Sequence, residues 1–122
     1  LVRVNPSKSH FLNSLFTRGS QKGAEYNPTL SDRLSGAIDP QTITLPILKQ
    51  SVAEIILISE ENILGAIKYA WWIYGQKIEG SAAIALTDAI FNCDIERPAA
   101  IIHSGGNIQP DTFESLLKQD NY

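Results

Sequence analysis

The sequence contains no methionine and a single cysteine, Cys93, among its 122 residues. One cysteine cannot close a disulfide within the chain and leaves any chelated metal to other ligands, so a reducing, cytoplasmic setting is the simplest expectation. Histidine is nearly as scarce: His10 and His103 are the only two, they share no zinc-like spacing, and no metal site is expected. Basic charge is thin as well. Ten lysines and arginines stand against 13 aspartates and glutamates, a formal net charge of -3, and the basic residues form no cluster. This excludes a nucleic-acid surface and points to small molecules or protein as partners. No apolar run approaches the roughly 20 residues that cross a membrane, and Leu1 to Asn5 is too short and mixed for a signal peptide. The catalytic signatures G-x-S-x-G, G-x-x-x-x-G-K-[ST] and H-E-x-x-H are all missing. The lack of methionine even at position 1 leads us to expect a natural chain that begins upstream.

What is present is 43 % hydrophobic, enough for the core of one compact domain spanning residues 1–122. Leu1 to Val4 alternates like a short strand and is stopped by Asn5-Pro6. Phe11, Leu12, Leu15 and Phe16 then fall at helical spacing, with Gly19 as a C-terminal glycine. From Ser20 to Pro40 the chain is polar and turn-rich. It reads either as a surface loop with one helical turn near Leu30 to Leu34 or as a site loop, since long irregular connections often carry function. "TLPILKQSV" is a short helix with Pro46 in its first turn, and "AEIILIS" is a buried strand. Ser59 caps the clearest helix, in which Ile63, Ala66, Ile67, Ala70 and Trp71 recur at three and four spacing until Tyr74 and Gly75. Glu60 and Glu61 suit its positive N-terminus.

After "QKIEG", the segment "SAAIALTDAIFN" forms a second apolar helix. Its small residues allow close packing against another element or a planar ligand. Ala99 to His103 reads as a third strand running into the turn Ser104-Gly105-Gly106-Asn107, after which Pro110 and Asp111 open a last helix. Strands alternating with helices give an α/β fold: a partial three-layer domain with a small, mainly parallel sheet of about three strands flanked by helices.

Ligands of open parallel sheets bind beyond the carboxyl ends of the strands. The glycine turn at 104–107 lies at such an end, where missing side chains permit close approach and Ser104 offers a hydroxyl. The same four residues also suit a bare turn. Glu79, between Ile78 and a helix start, reads either as a capping acid or as a buried carboxylate facing a ligand.

Taken in order, "PTLSD", the strand followed by "SEENI", "IEGSAA" and "SGGN" resemble the C-terminal half of the catalytic domain of threonine dehydratases and serine racemases, the pyridoxal-phosphate enzymes of fold type II. The resemblance runs from about Leu1 to Leu117. It implies that Ser104 hydrogen-bonds the pyridine nitrogen of the cofactor, that Gly105, Gly106 and Asn107 shape the turn, and that Glu79 lies beside the ring. It also implies parts that this sequence lacks: a Schiff-base lysine in an S-x-K-x-R type segment, a glycine-rich phosphate loop and a small closing domain. Lys8, Lys22, Lys49, Lys68, Lys77 and Lys118 all lack the lysine's context. Asn5 and Phe11 stand where cation-binding members carry glutamate and aspartate, and Arg33 stands where the family has glycine. No catalytic residue is therefore expected in this chain. The resemblance implies a truncated dehydratase-like protein, inactive alone, that keeps the pyridine side of a cofactor site and self-associates into a homo-oligomer. Two alternatives stay open. The chain is a segment of a complete threonine or serine dehydratase, completed upstream or by a complementing N-terminal half, or it is a non-catalytic assembly or binding module.

Overall fold

A computed structural model describes residues 1–92 and 96–120; Cys93 lies outside them. Two strands, β1 (Val2–Pro6) and β2 (Glu54–Ile58), pair in parallel from Val2 opposite Glu54 to Pro6 opposite Ile58. Ala53 N–H to Leu1 C=O (2.8 Å) and Ser7 N–H to Ile58 C=O (2.9 Å) extend the ladder at both ends. Parallel pairing requires a crossover. Here it consists of α1 (Phe11–Arg18), the long loop with a 3-10 turn at Asp32–Leu34, and α2 (Thr44–Ser51). Then follow α3 (Glu60–Tyr74), α4 (Gly80–Phe91) and α5 (Pro110–Lys118). The fold is α/β with a small parallel sheet and flanking helices.

The helix ends follow the chemistry of their sequences. Ser59 Oγ accepts from Asn62 N–H at 3.3 Å, capping α3. Gly75 closes it at φ 63°, a left-handed conformation that favours glycine, with its N–H on Trp71 C=O and Gln76 N–H on Ala70 C=O. Gly19 ends α1 in the same way at φ 70°.

The core lies where α3 packs on α4. Ile63, Ala66, Ile67 and Ala83 are completely buried, and Ile58, Ile84, Phe113 and Leu116 belong to the same cluster. Ala82 and Ala83 let the two helix backbones come close, so the small-residue run of α4 serves packing. Gly65 works likewise: a Cβ there would stand 2.9 Å from the Phe91 ring. α2 buries none of its side chains, and beside it Ile43 is 83 % exposed.

One expectation needs correction. The segment Ala99 to His103 forms no ladder, so the sheet has two strands among the described residues instead of about three. Only Ile101 packs against the core, while Ile102 is 79 % exposed. Strand composition alone does not supply a ladder partner, and this segment's downstream end bonds to the start of α4 through Glu79 N–H and Gly105 C=O (3.4 Å).

Candidate functional site

Three segments distant in sequence, 29–33, 77–81 and 104–106, converge at the start of α4. Glu79 is the N-cap residue of this helix: its carbonyl accepts from Ala82 N–H (3.0 Å) and Ala83 N–H (2.9 Å), while its side chain makes no capping hydrogen bond. The carboxylate instead lies against the glycine turn. A Cβ on Gly105 would collide with Glu79 Oε1 and stand 2.8 Å from its Cδ, and one on Gly106 would sit 3.1 Å from Lys77 C=O. Glycine at these positions is what admits the contact. The Glu79 side chain is only 12 % exposed, and its other oxygen, Oε2, stands 3.4 Å from Arg33 Nε.

Arg33 therefore has a partner where the sequence resemblance leads one to expect glycine. With its own side chain 59 % exposed, the pair contributes at most about 1 kcal/mol. Its consequence is positional, because it ties the long loop to the carboxylate beneath the turn.

Further contacts hold the loop in place. Buried Glu60 accepts from Thr29 Oγ1 and from Leu30 N–H (2.8 Å). Ser31 Oγ donates to Gly80 C=O at 2.9 Å, and Arg33 N–H donates to Ser81 Oγ at 3.2 Å. Gly80 packs so closely on the Leu30 carbonyl that any side chain would strike it. A continuous path of contacts thus runs from the first turn of α3 through the loop and the start of α4 to the glycine turn. The middle of the 20–40 loop is thereby packed against the start of α4, with Ser31 fully buried.

Ile101 and Ile108 pack on the core on either side of the turn, and Phe113 of α5 is buried beyond it, edge-on to Trp71 at 5.4 Å. Ile108 N–H closes a tight turn onto Gly106 C=O at 3.0 Å around Asn107. The anchored turn leaves Ser104 exposed, with no hydrogen bond to its hydroxyl among the described residues. Asn107 is exposed too, outside the contacts that bind Glu79 to Gly105. Of the five site residues expected from the sequence, the structure packs Gly105 on Glu79, sets Gly106 against the Lys77 carbonyl and leaves Ser104 and Asn107 exposed beside them.

Arg33, Ser31, Ser81 and the second role of Glu60 were not expected as parts of this site. Arg33 alone carried a signal, its departure from the resembled pattern. At the other end of β1, Asn5 is almost wholly buried; its Nδ2 donates to Leu34 C=O and its Oδ1 accepts from Asn13 N–H, both at 3.2 Å. Among the described residues no group of three or more His, Cys, Asp or Glu is placed to hold a metal, and no helix is long and apolar enough to cross a membrane.

In sequence and fold together, the chain resembles the C-terminal part of the catalytic domain of a fold type II pyridoxal-phosphate enzyme, of the threonine dehydratase and serine racemase-like kind. It is 27 % identical over 103 residues to the L-threonine ammonia-lyase of Thermotoga maritima, a match that covers 84 % of this chain and 25 % of that protein. The serine racemase of Dictyostelium discoideum superposes with a TM-score of 0.70 at 26 % identity, covering 88 % of this chain and 35 % of that one. Maize serine racemase gives a TM-score of 0.75 at 22 % identity over 96 % of this chain and 37 % of that one, a likeness of fold. No protein-family model matches. The chain spans about a quarter of the length of the curated relative it matches.

Proposed function

We propose that this chain, a single α/β domain over residues 1–122, is a threonine dehydratase-like segment that supplies the pyridine-ring wall of a pyridoxal-phosphate site. The observation that carries the reading is the seating of Gly105 directly on the Glu79 carboxylate, which fixes a side-chain-free stretch of backbone. A flat ring can approach such a stretch with the exposed Ser104 hydroxyl as its polar contact, so the residues present fit the ring edge of the cofactor.

With the cofactor bound, the Ser104 hydroxyl would donate to the ring nitrogen, and a neutral hydroxyl, unlike a carboxylate, would not hold a proton there. Gly105 and Gly106 seat the turn on Glu79 and on the Lys77 carbonyl, so that its opposite side would meet the ring; Asn107 shapes the return of the chain. Glu79, itself held by Arg33, supports the turn from below. When bound, the cofactor supplies an electron sink suited to elimination from a β-hydroxy amino acid. No side chain of the site is assigned a catalytic role. Activity, the deamination of threonine or serine to a 2-oxo acid and ammonia, belongs to an assembly completed by an N-terminal half that carries the lysine and the phosphate loop.

Trp72, Ile73 and Tyr74, each more than half exposed at the end of α3, favour self-association into a homo-oligomer, and they are what an assembly module without cofactor would use. Titration with pyridoxine 5′-phosphate, which has no aldehyde to react with surface lysines, separates these readings. The cofactor reading expects amide shifts confined to 104–107 and 77–81. Shifts absent at 20 mM ligand, or scattered over the surface, contradict it.

A further inference from the structure

A second opening lies at the other end of the same loop. A cleft of about 180 Å³ separates β1 from the chain that follows the 3-10 turn, with Arg3, Asn5, Leu12, Arg33, Leu34 and Ile38 on its walls. It does not include the glycine turn and shares with that site only Arg33. Two arginines, Arg3 and Arg33, line this cleft and no acidic residue does, in a protein of net charge -3. Arg3 makes no ion pair among the described residues, and Arg33 engages Glu79 through Nε at 3.4 Å.

Beside the arginines and Asn5, the wall carries Leu12, Leu34 and Ile38. Leu12 is 6 % exposed, and the Asn5 amide is committed to Leu34 and Asn13. Ile38 is held by a paired contact with the Gln21 amide, Gln21 Nε2 to Ile38 C=O and Ile38 N–H to Gln21 Oε1, both at 2.7 Å. Positive heads beside an aliphatic floor select an anion with an apolar tail. A cleft of about 180 Å³ has room for a short aliphatic acid.

We infer that this cleft binds a small aliphatic monocarboxylate, its head group on Arg3 and Arg33 and its chain over Leu12, Leu34 and Ile38. Arginine recognises a carboxylate by a planar fork of donors, and the apolar floor disfavours a fully hydrated anion such as phosphate. Because Arg33 also holds Glu79, the occupant competes with Glu79 for one guanidinium. The inference is independent of the pyridoxal-phosphate reading.

The test is a titration of the chain with butyrate, butyramide and inorganic phosphate, followed through the amide signals of Gly36, Ala37 and Ile38 and the Nε signals of the arginines. The expected result is saturable, millimolar binding of butyrate, at least fivefold weaker binding of phosphate and none of butyramide. R3Q and R33Q each weaken butyrate at least threefold, and E79Q tightens it about twofold by releasing Arg33. Equal responses to butyrate and butyramide, no response at 50 mM butyrate, or phosphate binding as well as butyrate would overturn the inference. These three comparisons use the unaltered protein, so the outcome does not depend on whether every variant folds.

Discussion

Glu60 occupies the first turn of α3 with 4 % exposure, and its carboxylate holds both Thr29 and Leu30. Replacing it with alanine leaves a half-buried N–H and a half-buried hydroxyl without their acceptor, which costs about 1–3 kcal/mol. Urea denaturation of Glu60→Ala checks this, and a loss under about 0.5 kcal/mol would show that the loop is held by other contacts. Tyr69 offers a second residue-level expectation. Its phenol is raised above the usual tyrosine range, first by its hydrogen bond with Tyr74, then by the charge of that neighbour and by burial. A folded pKa above the unfolded one means that the native state holds the proton more tightly. The contribution to stability is therefore full below about pH 10 and is lost as pH rises through the folded pKa. Absorbance titration at 295 nm should show one late tyrosine that Tyr74→Phe returns toward ordinary values.

Site residues were legible at this scale where their identity was unusual. Glycines in a row, and a carboxylate set between an isoleucine and a helix start, stand out in any sequence. Glu60 looked like one of two dipole acids because its partners lie 30 positions away, and pattern within a window carries no information about such contacts. Arg33 is the instructive case. Its presence was visible as a departure, but its ion pair with Glu79 depends on the loop folding across the start of α4.

At the scale of elements, local signals fared best where both ends of a helix were marked. α3 begins at Ser59 and ends at Gly75 as its sequence implies. Ser59→Ala should cost about 1 kcal/mol through the lost cap, and Gly75→Ala about 1–2 kcal/mol because alanine is strained at positive φ. The sites lie at opposite ends of a 15-residue helix, so the double variant should show the sum of the two losses in denaturant midpoints. A double variant no worse than either single would mean that the helix frays from one end only. Ala99 to His103 shows the converse. Its apolar run between polar flanks is that of a strand, yet a strand is completed by a neighbour, and the segment has none among the described residues. The small-residue stretch of α4 was legible as close packing because Ala82 and Ala83 permit it whatever the neighbour is.

For the molecule as a whole, two strands are a slight scaffold, since an isolated pair is marginal in water and needs a packed helix layer. The packed pair α3 and α4 supplies that layer. Amide exchange should accordingly be slowest around Ile63, Ile67 and Ile84 and fast in α2 and in 99–103. A sheet protected better than these helices would contradict that distribution. The α/β class was readable from the alternation of elements, whereas the joining of three segments around Glu79 is a property of the tertiary fold.

What matters most for function is whether the turn at Ser104 receives a pyridine ring. The most direct measurement is the affinity of pyridoxine 5′-phosphate for the chain and for Ser104→Ala, by calorimetry. One hydroxyl contact is worth about 0.5–1.5 kcal/mol, so saturable binding is expected that weakens about 2- to 12-fold in the variant while the fold is unchanged. Binding of equal strength in both proteins, or none in the unaltered chain, would contradict it.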